Sequence, residues 1–148
     1  MQETKETFAL DMDGTFVNFY GVDRWLEMLE NLDSTPYAIA KPLFSMSLLA
    51  RYIHKLQKQG HKVIIISWLS KSGTNDYNAE VAQVKQRWLK QHLPSVQFDE
   101  IHIVPYGTPK STVSTATILF DDEERNRKEW QGRAYPPEKI FEIFQTFF

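Results

Sequence analysis

Short apolar segments alternate with longer amphipathic ones along this chain. Residues 8–10 and 63–66 are contiguous apolar runs, and each is short enough to form a strand. The second run is β-branched and apolar on both faces, which is typical of an inner strand of a parallel sheet. The predicted strands lie at about residues 7–12, 62–67, 98–104, 117–120 and 133–135.

Between these strands the apolar residues recur at helical spacing. The predicted helices cover about residues 22–32, 43–59, 78–92, 123–131 and 136–147. Ser34-Thr35-Pro36 is expected to break the first helix, and Gly60 to end the second. The Pro136-Pro137 pair suits the first turn of the last helix.

The order of these elements predicts an α/β fold. Strands that alternate with helices favour an open parallel sheet with helices on both faces, a three-layer Rossmann-like architecture. The chain shows no internal repeat and no low-complexity linker, so a single domain over residues 1–148 is the simplest interpretation. In such sheets, ligands bind at the carboxyl ends of the strands.

The composition excludes several classes of function. The 148 residues are 42% hydrophobic and 24% charged, with a net charge of -2, so no overall charge favours nucleic acid or an anionic membrane. The absence of cysteine removes disulfides, cysteine-bound zinc and thiol nucleophiles, and fits a reducing compartment. No signal-peptide core or membrane-spanning run is found, so we expect a soluble cytoplasmic protein.

Two acids stand one residue apart where the first strand ends. Asp11 and Asp13 are followed by Gly14, which lets the backbone turn. Carboxylates held this close repel each other unless a cation lies between them or one is protonated. The pattern therefore predicts a magnesium site, in which one carboxylate is a ligand and nucleophile and the other an acid/base.

Other polar residues occur at the predicted ends of later strands. The motifs, in chain order, are Asp11-Met12-Asp13-Gly14-Thr15, Ile66-Ser67, Lys110 and Asp121-Asp122. This set resembles the four motifs of the haloacid dehalogenase (HAD)-like phosphohydrolase superfamily in residue type and order. The resemblance spans about residues 7–135. An acid two residues after the nucleophile is similar to the phosphatases of that superfamily.

Each motif has a chemical role that agrees with the resemblance. Asp11 can attack phosphorus and form an aspartyl-phosphate, and Asp13 can protonate the leaving oxygen and then activate water. Mg²⁺ prefers oxygen ligands. Asp11, the backbone carbonyl of Asp13, and Asp121 or Asp122 could supply them.

The phosphate ligands are predicted from the two middle motifs. The Ser67 hydroxyl can hydrogen-bond a phosphoryl oxygen, assisted by the backbone N–H of Trp68. Lys110 can neutralise charge on both Asp11 and the phosphate. Taken singly, Ser67 is more typical of a strand-end cap, Lys110 of a surface lysine, and Asp121-Asp122 of a helix N-terminus.

Competing motifs fit less well. A calcium loop needs further oxygen ligands and a later Glu, which the residues after Gly14 lack. Pro109 stands before Lys110-Ser111 where a P-loop requires glycine. In response-regulator receivers the acid pair precedes the lysine, which is the reverse of the order here. The four histidines are scattered and form no predicted zinc site.

The resemblance also implies a small helical cap, inserted after the first strand at about residues 16–41. Phe16, Phe19 and Tyr20 lie just beyond the first motif and could stack a nucleobase, although they could equally pack against a cap helix led by Trp25. The short cap and the Asp-Asp motif are similar to the 5'(3')-deoxyribonucleotidase-like branch. This makes a nucleoside monophosphate the leading substrate.

The sequence therefore predicts a magnesium-dependent phosphomonoester hydrolase that takes a small phosphorylated substrate. A sugar phosphate, a phosphoprotein or a nucleic-acid end is an alternative substrate, although no strong nucleic-acid-binding signal is present. A phosphate- or magnesium-binding regulator without turnover is the alternative outside enzymes. The aromatic C-terminal tail leaves a homo-oligomer open.

Overall fold

The computed structural model describes residues 4–71 and 73–148. A five-stranded parallel sheet forms the centre, in the order β5-β4-β1-β6-β7. Its strands are β1 (Thr7–Leu10), β4 (Lys62–Trp68), β5 (Glu100–Val104), β6 (Ile118–Phe120) and β7 (Arg133–Tyr135). The predicted parallel sheet, with helices on both faces, is confirmed.

Alternation along the strands divides the core between the two faces of the sheet. Phe8 and Leu10 of β1 face the larger core, whereas Ala9 between them belongs to a smaller cluster with Ile64 and Trp130. The larger face is covered by α3 (Met46–Lys58), α4 (Asn75–His92) and α6 (Ile140–Gln145). On the smaller face, the short helix α5 (Glu124–Glu129) precedes Trp130.

The helix termini follow from local chemistry. Ser45 caps α3 by accepting from the Leu48 N–H at 3.1 Å, and Thr74 caps α4 by accepting from the Tyr77 N–H at 3.1 Å. Each helix therefore begins about three residues from its predicted start. Gly60 follows α3 with φ of 95°, the left-handed conformation expected of a glycine stop.

The segment after β1 differs most from prediction. Between β2 (Val17–Asn18) and β3 (Lys41–Pro42), which pair antiparallel, lie two short helices, α1 (Trp25–Glu30) and α2 (Thr35–Ile39). Pro36 was expected to break a helix; instead it occupies the first turn of α2, where its missing N–H costs no hydrogen bond. We call residues 19–40 the cap segment.

The cap segment is joined to α4 by two hydrogen bonds. The Trp88 indole N–H donates to the Ala40 carbonyl at 2.8 Å, and the Tyr77 hydroxyl donates to the Asp33 carbonyl at 3.0 Å. Because α4 follows the β4 strand end, these bonds hold the cap segment above the carboxyl edge of the sheet.

Candidate active site

A buried lysine connects the ends of the first and fourth sheet strands in chain order. Lys110 lies in a short 3-10 turn, and its side chain is 1% exposed. Its ammonium donates to Asp11 Oδ1 at 2.8 Å and to Asp121 Oδ2 at 2.7 Å. Asp11 directly follows β1 and Asp121 directly follows β6, so three motifs far apart in sequence meet at one edge of the sheet.

The second oxygen of Asp11 is fixed as well. The Thr15 hydroxyl donates to Asp11 Oδ2 at 2.8 Å and accepts from the Asp122 N–H at 3.2 Å. Each oxygen of the Asp11 carboxylate therefore has a donor. The carboxylate is held in one orientation before any ligand binds, which suits a nucleophile.

Asp121 is oriented by its own loop and by α5. Its Oδ1 accepts from the Glu123 N–H at 2.9 Å, and its Oδ2 accepts from the Asn126 amide at 3.1 Å. The Arg127 guanidinium donates to the Asp121 carbonyl at 2.9 Å. These bonds fix the acid pair at the end of β6.

Gly14 allows the two acidic loops to approach each other. Its φ is 84°, and a Cβ at this position would lie 2.2 Å from Asp122 Oδ2. Only glycine avoids both the strained backbone and this overlap. The Asp-x-Asp-Gly pattern is thus needed for close packing of the two loops as well as for its acids.

Three carboxylates could hold a divalent cation here. Oxygens of Asp11, Asp121 and Asp122 all lie within 4.8 Å of one another. Burial, followed by the charge of Asp11, raises the pKa of Asp122 to about 8 and that of Asp121 to about 6. A hard cation such as Mg²⁺ would relieve this repulsion, so the donor set fits the predicted ion.

The Asp13 carboxylate lies apart from this cluster. Its Oδ2 accepts from Lys85 of α4 at 2.9 Å. Burial raises its pKa, and the Lys85 charge partly opposes that effect. The Asp13 side chain is therefore held by Lys85, and the predicted contribution of Asp13 to a metal would come from its backbone carbonyl.

Lys85 was missed by the sequence analysis. Its side chain is 1% exposed, and its ammonium also donates to Ser67 Oγ and the Trp68 carbonyl, both at 2.7 Å. A signal was present in the sequence: Lys85 occupies the i+4 position of the apolar stripe that runs through Val81 and Trp88. A lysine inside such a stripe needs a buried partner.

The two predicted phosphate ligands of β4 have different exposures. Ser67 is 1% exposed, and its hydroxyl accepts from Lys85 while still having its own proton to donate. Trp68 is half-buried and lines the cleft, and its indole N–H donates to the Thr108 carbonyl at 2.8 Å. The role of both residues in phosphate binding remains a prediction.

A cleft of about 300 Å³ opens above the acids. Asp11, Asp13 and Lys110 line its floor. Its walls carry aromatic rings from both the cap segment and the core. These rings belong to Phe19, Tyr20, Trp25, Tyr37, Trp68 and Tyr106.

The structure places the three predicted substrate contacts in different surroundings. Phe16 is fully buried and packs against Trp88 with ring centroids 5.8 Å apart, so it belongs to the core beneath the cap segment. Phe19 is 3% exposed and stacks on Tyr37 at 4.6 Å, which places it in the cleft wall. Tyr20 is 49% exposed and presents the most accessible ring of the predicted three.

The raised pKa values predict how magnesium removal affects stability. Carboxyl groups with raised pKa values bind protons more tightly in the folded state. Their contribution to stability is complete below about pH 4 and is lost as the pH rises through the folded pKa values. In EDTA, the thermal unfolding midpoint of the wild type should therefore decrease as the pH rises from about 4 to about 8. The decrease should be steeper than that of Asp122→Asn. Mg²⁺ should raise the midpoint more at pH 8.

Thermal unfolding with and without Mg²⁺ measures both effects. Asp76→Asn, at an exposed position, is the matched control and should keep the wild-type pH dependence. Equal slopes for wild type and Asp122→Asn would contradict the assignment of the raised pKa to Asp122.

Within the two described stretches, none of the helices combines the length and apolar character needed to cross a bilayer.

Comparison with known proteins shows little sequence similarity. No family model and no curated protein matches the chain. Similar solved structures include a D,D-heptose 1,7-bisphosphate phosphatase from Burkholderia thailandensis, with a TM-score of 0.49 and 14% identity. The similarity covers 84% of this chain and 70% of that one. The parallel sheet of this chain carries motif residues at the carboxyl ends of β1, β4 and β6.

Proposed function

We propose that this chain is a HAD-like, magnesium-dependent phosphomonoester hydrolase that acts through an aspartyl-phosphate at Asp11. The observation that carries the proposal is the separation of the two acids by two buried lysines. Lys110 holds Asp11 within the acidic cluster, whereas Lys85 holds Asp13 outside it. This separation supports attack by Asp11 and proton transfer by Asp13.

The first step transfers the phosphoryl group to the enzyme. An Asp11 oxygen attacks phosphorus, the bond from phosphorus to the alcohol oxygen breaks, and Asp13 gives its proton to that oxygen. Mg²⁺, held by Asp11, the Asp13 carbonyl, and Asp121 or Asp122, would neutralise charge on the phosphoryl oxygens. Lys110 adds a positive charge at the same end of the cleft.

The second step releases phosphate. Asp13, now a carboxylate, removes a proton from water, and the resulting hydroxide attacks phosphorus. The bond between phosphorus and Asp11 breaks, which restores the Asp11 carboxylate, while Asp13 keeps the proton that it took from water and is ready for the next cycle. Ser67 and the Trp68 N–H are proposed to hold a phosphoryl oxygen through both steps.

A nucleoside monophosphate is the proposed substrate. The cleft volume lies at the small end of the range for ligand sites, and several aromatic rings line the cleft. Tyr20 and Trp25 of the cap segment line the cleft, as do Trp68 at the end of β4 and Tyr106 in the loop after β5. A base in the cleft could stack on these rings.

A panel of phosphate esters tests the proposal. We expect Mg²⁺-dependent phosphate release that EDTA stops, with deoxynucleoside monophosphates turned over faster than sugar phosphates, a phosphopeptide or a 3'-phosphorylated oligonucleotide. Equal rates across the panel would refute the nucleotidase assignment and leave a general phosphatase. No release from any ester, together with retained Mg²⁺ binding, would support the regulator without turnover.

Tyr20→Ala tests whether the substrate base stacks on this ring. Loss of a stacking ring should raise KM for a nucleotide by about 5- to 150-fold, because stacking contributes about 1–3 kcal/mol per base. KM for glycerol phosphate, which has no base, is the control and should change little.

A further inference from the structure

Lys85 uses all of its hydrogen-bonding capacity inside the protein. A lysine ammonium has three protons, and each has an acceptor: Asp13 Oδ2 at 2.9 Å, Ser67 Oγ at 2.7 Å and the Trp68 carbonyl at 2.7 Å. The ring of Tyr37, from α2, lies 5.2 Å from the same nitrogen. The ammonium is therefore fixed by groups from the first motif, β4 and the cap segment.

Packing alone does not explain a lysine at this position. The neighbouring stripe residues of α4, Val81, Val84 and Trp88, are buried and apolar, and a methionine would continue the stripe. A buried ion pair is often no more stabilising than apolar residues of the same volume, because both charges lose their hydration. The charge and the three hydrogen bonds therefore point to a role in the site.

The geometry distinguishes the two oxygens of Asp13. Oδ2 is occupied by Lys85, which leaves Oδ1 as the oxygen to carry a proton. Asp13 also lines the cleft. A carboxyl fixed at Oδ2 cannot rotate freely, so Oδ1 keeps one direction relative to the Asp11 carboxylate. Proton transfer to a leaving oxygen requires a donor that stays within hydrogen-bond reach of that oxygen, and a fixed Oδ1 direction meets this requirement.

We propose that Lys85 is a positioning residue, which fixes Asp13 through Oδ2 so that Oδ1 delivers the proton to the leaving alcohol. This inference rests on the proposed function. In the step concerned, the bond from phosphorus to the alcohol oxygen breaks, a bond from Asp11 to phosphorus forms, and the Asp13 Oδ1 proton moves to the departing oxygen. Lys85 itself touches neither substrate nor the reacting atoms.

Two esters that differ in their need for a proton test the inference. An alkyl phosphate such as glycerol phosphate requires protonation of its leaving oxygen, whereas 4-nitrophenyl phosphate releases a stable anion. The value of kcat/KM reports events up to release of the alcohol. For Lys85→Met, we expect kcat/KM to fall about 100-fold or more on the alkyl ester and by less than about 5-fold on the aryl ester.

Two further variants complete the comparison. Lys85→Arg keeps the positive charge and N–H donors of sufficient reach, and should recover at least about 10-fold of the alkyl activity lost in Lys85→Met. Lys90→Met, at an exposed position on the same helix, should leave both esters at wild-type rates. Equal losses on both esters for Lys85→Met, or no loss on either, would overturn the inference.

A double variant keeps the test valid if Lys85→Met fails to fold. Asp13→Asn/Lys85→Met removes both charges of the pair, and circular dichroism checks its fold. If Lys85 acts through Asp13, its alkyl-ester kcat/KM should match that of Asp13→Asn within about 3-fold. A further loss of about 10-fold or more would overturn the inference.

Failure of this inference is distinguishable from failure of the proposed function. Wild-type protein that hydrolyses neither of these esters nor a deoxynucleoside monophosphate would refute both. Wild-type activity combined with equal losses in Lys85→Met would refute only the positioning role.

Discussion

Asp11→Asn should abolish phosphate release while the protein stays folded. The amide has the same shape as the carboxylate, but it is a poor nucleophile and cannot form the aspartyl-phosphate. We expect kcat to fall by at least about 10³-fold on every ester, because removing a catalytic nucleophile usually costs this much or more. The loss should be independent of the leaving group, in contrast to that of Asp13→Asn.

Asp11→Asn should keep or increase the stability of the protein, although it loses activity. The charge of Asp11 is one cause of the raised pKa values of Asp121 and Asp122, so its removal relieves repulsion in the cluster. Lys110 keeps Asp121 as a partner at 2.7 Å. The unfolding midpoint in EDTA should therefore be unchanged or higher at neutral pH.

Phosphate release and thermal unfolding of the same preparation measure both effects. Asp76→Asn is the control, since it makes the same chemical change at an exposed position and should keep wild-type turnover. Wild-type turnover by Asp11→Asn on 4-nitrophenyl phosphate would contradict the covalent mechanism.

Lys110→Met should damage stability and activity together. The ammonium is 1% exposed and bridges Asp11 and Asp121, so its removal leaves buried carboxylates without a cation. Removing one partner of a buried pair usually costs about 3–5 kcal/mol of unfolding free energy. Loss of the positive charge beside the nucleophile should also lower kcat/KM by about 10²-fold or more.

Added Mg²⁺ distinguishes the loss of stability in Lys110→Met from its loss of catalytic activity. If the acids form the metal site, added Mg²⁺ should restore part of the lost stability, because the ion neutralises the same carboxylates. It should not restore kcat/KM fully, because the Lys110 charge itself is missing. Denaturant unfolding with and without Mg²⁺ measures the first quantity, and initial rates measure the second.

Lys128→Met is the matched control, since Lys128 has a 75% exposed side chain. It should change unfolding free energy by less than about 1 kcal/mol. A Lys110→Met variant as stable in EDTA as this control would contradict the bridging role of Lys110.

The strand ends were predictable because the relevant signals are local. An apolar run followed by Asp11 and Asp13, and another followed by Asp121, mark buried strands whose ends meet solvent. Parallel pairing then brings those ends to one edge without further information. The role of Lys110 was harder to predict, because its flanking residues do not show that its side chain is buried. Its role came from the order of the motifs.

The cap segment was predicted less accurately for a physical reason. Helices of five or six residues have little periodicity to detect, and Pro36 favours both a break and a first turn. Phe16 follows a loop motif, so its burial against Trp88 depends on how the cap segment closes on α4. Such a contact involves residues 72 positions apart and leaves no mark in either local pattern.

The sequence by itself determined the parallel sheet, the candidate nucleophile and the acidic edge, because hydrophobic periodicity and strand-end polarity are properties of neighbouring residues. Only the tertiary structure decided how the two acids differ. Asp11 faces Lys110 and the acidic cluster, whereas Asp13 faces Lys85, which lies 72 residues away on α4. The physical reason is that a buried charge is satisfied by whichever partner the packing brings within about 3 Å, and packing is a property of the whole fold.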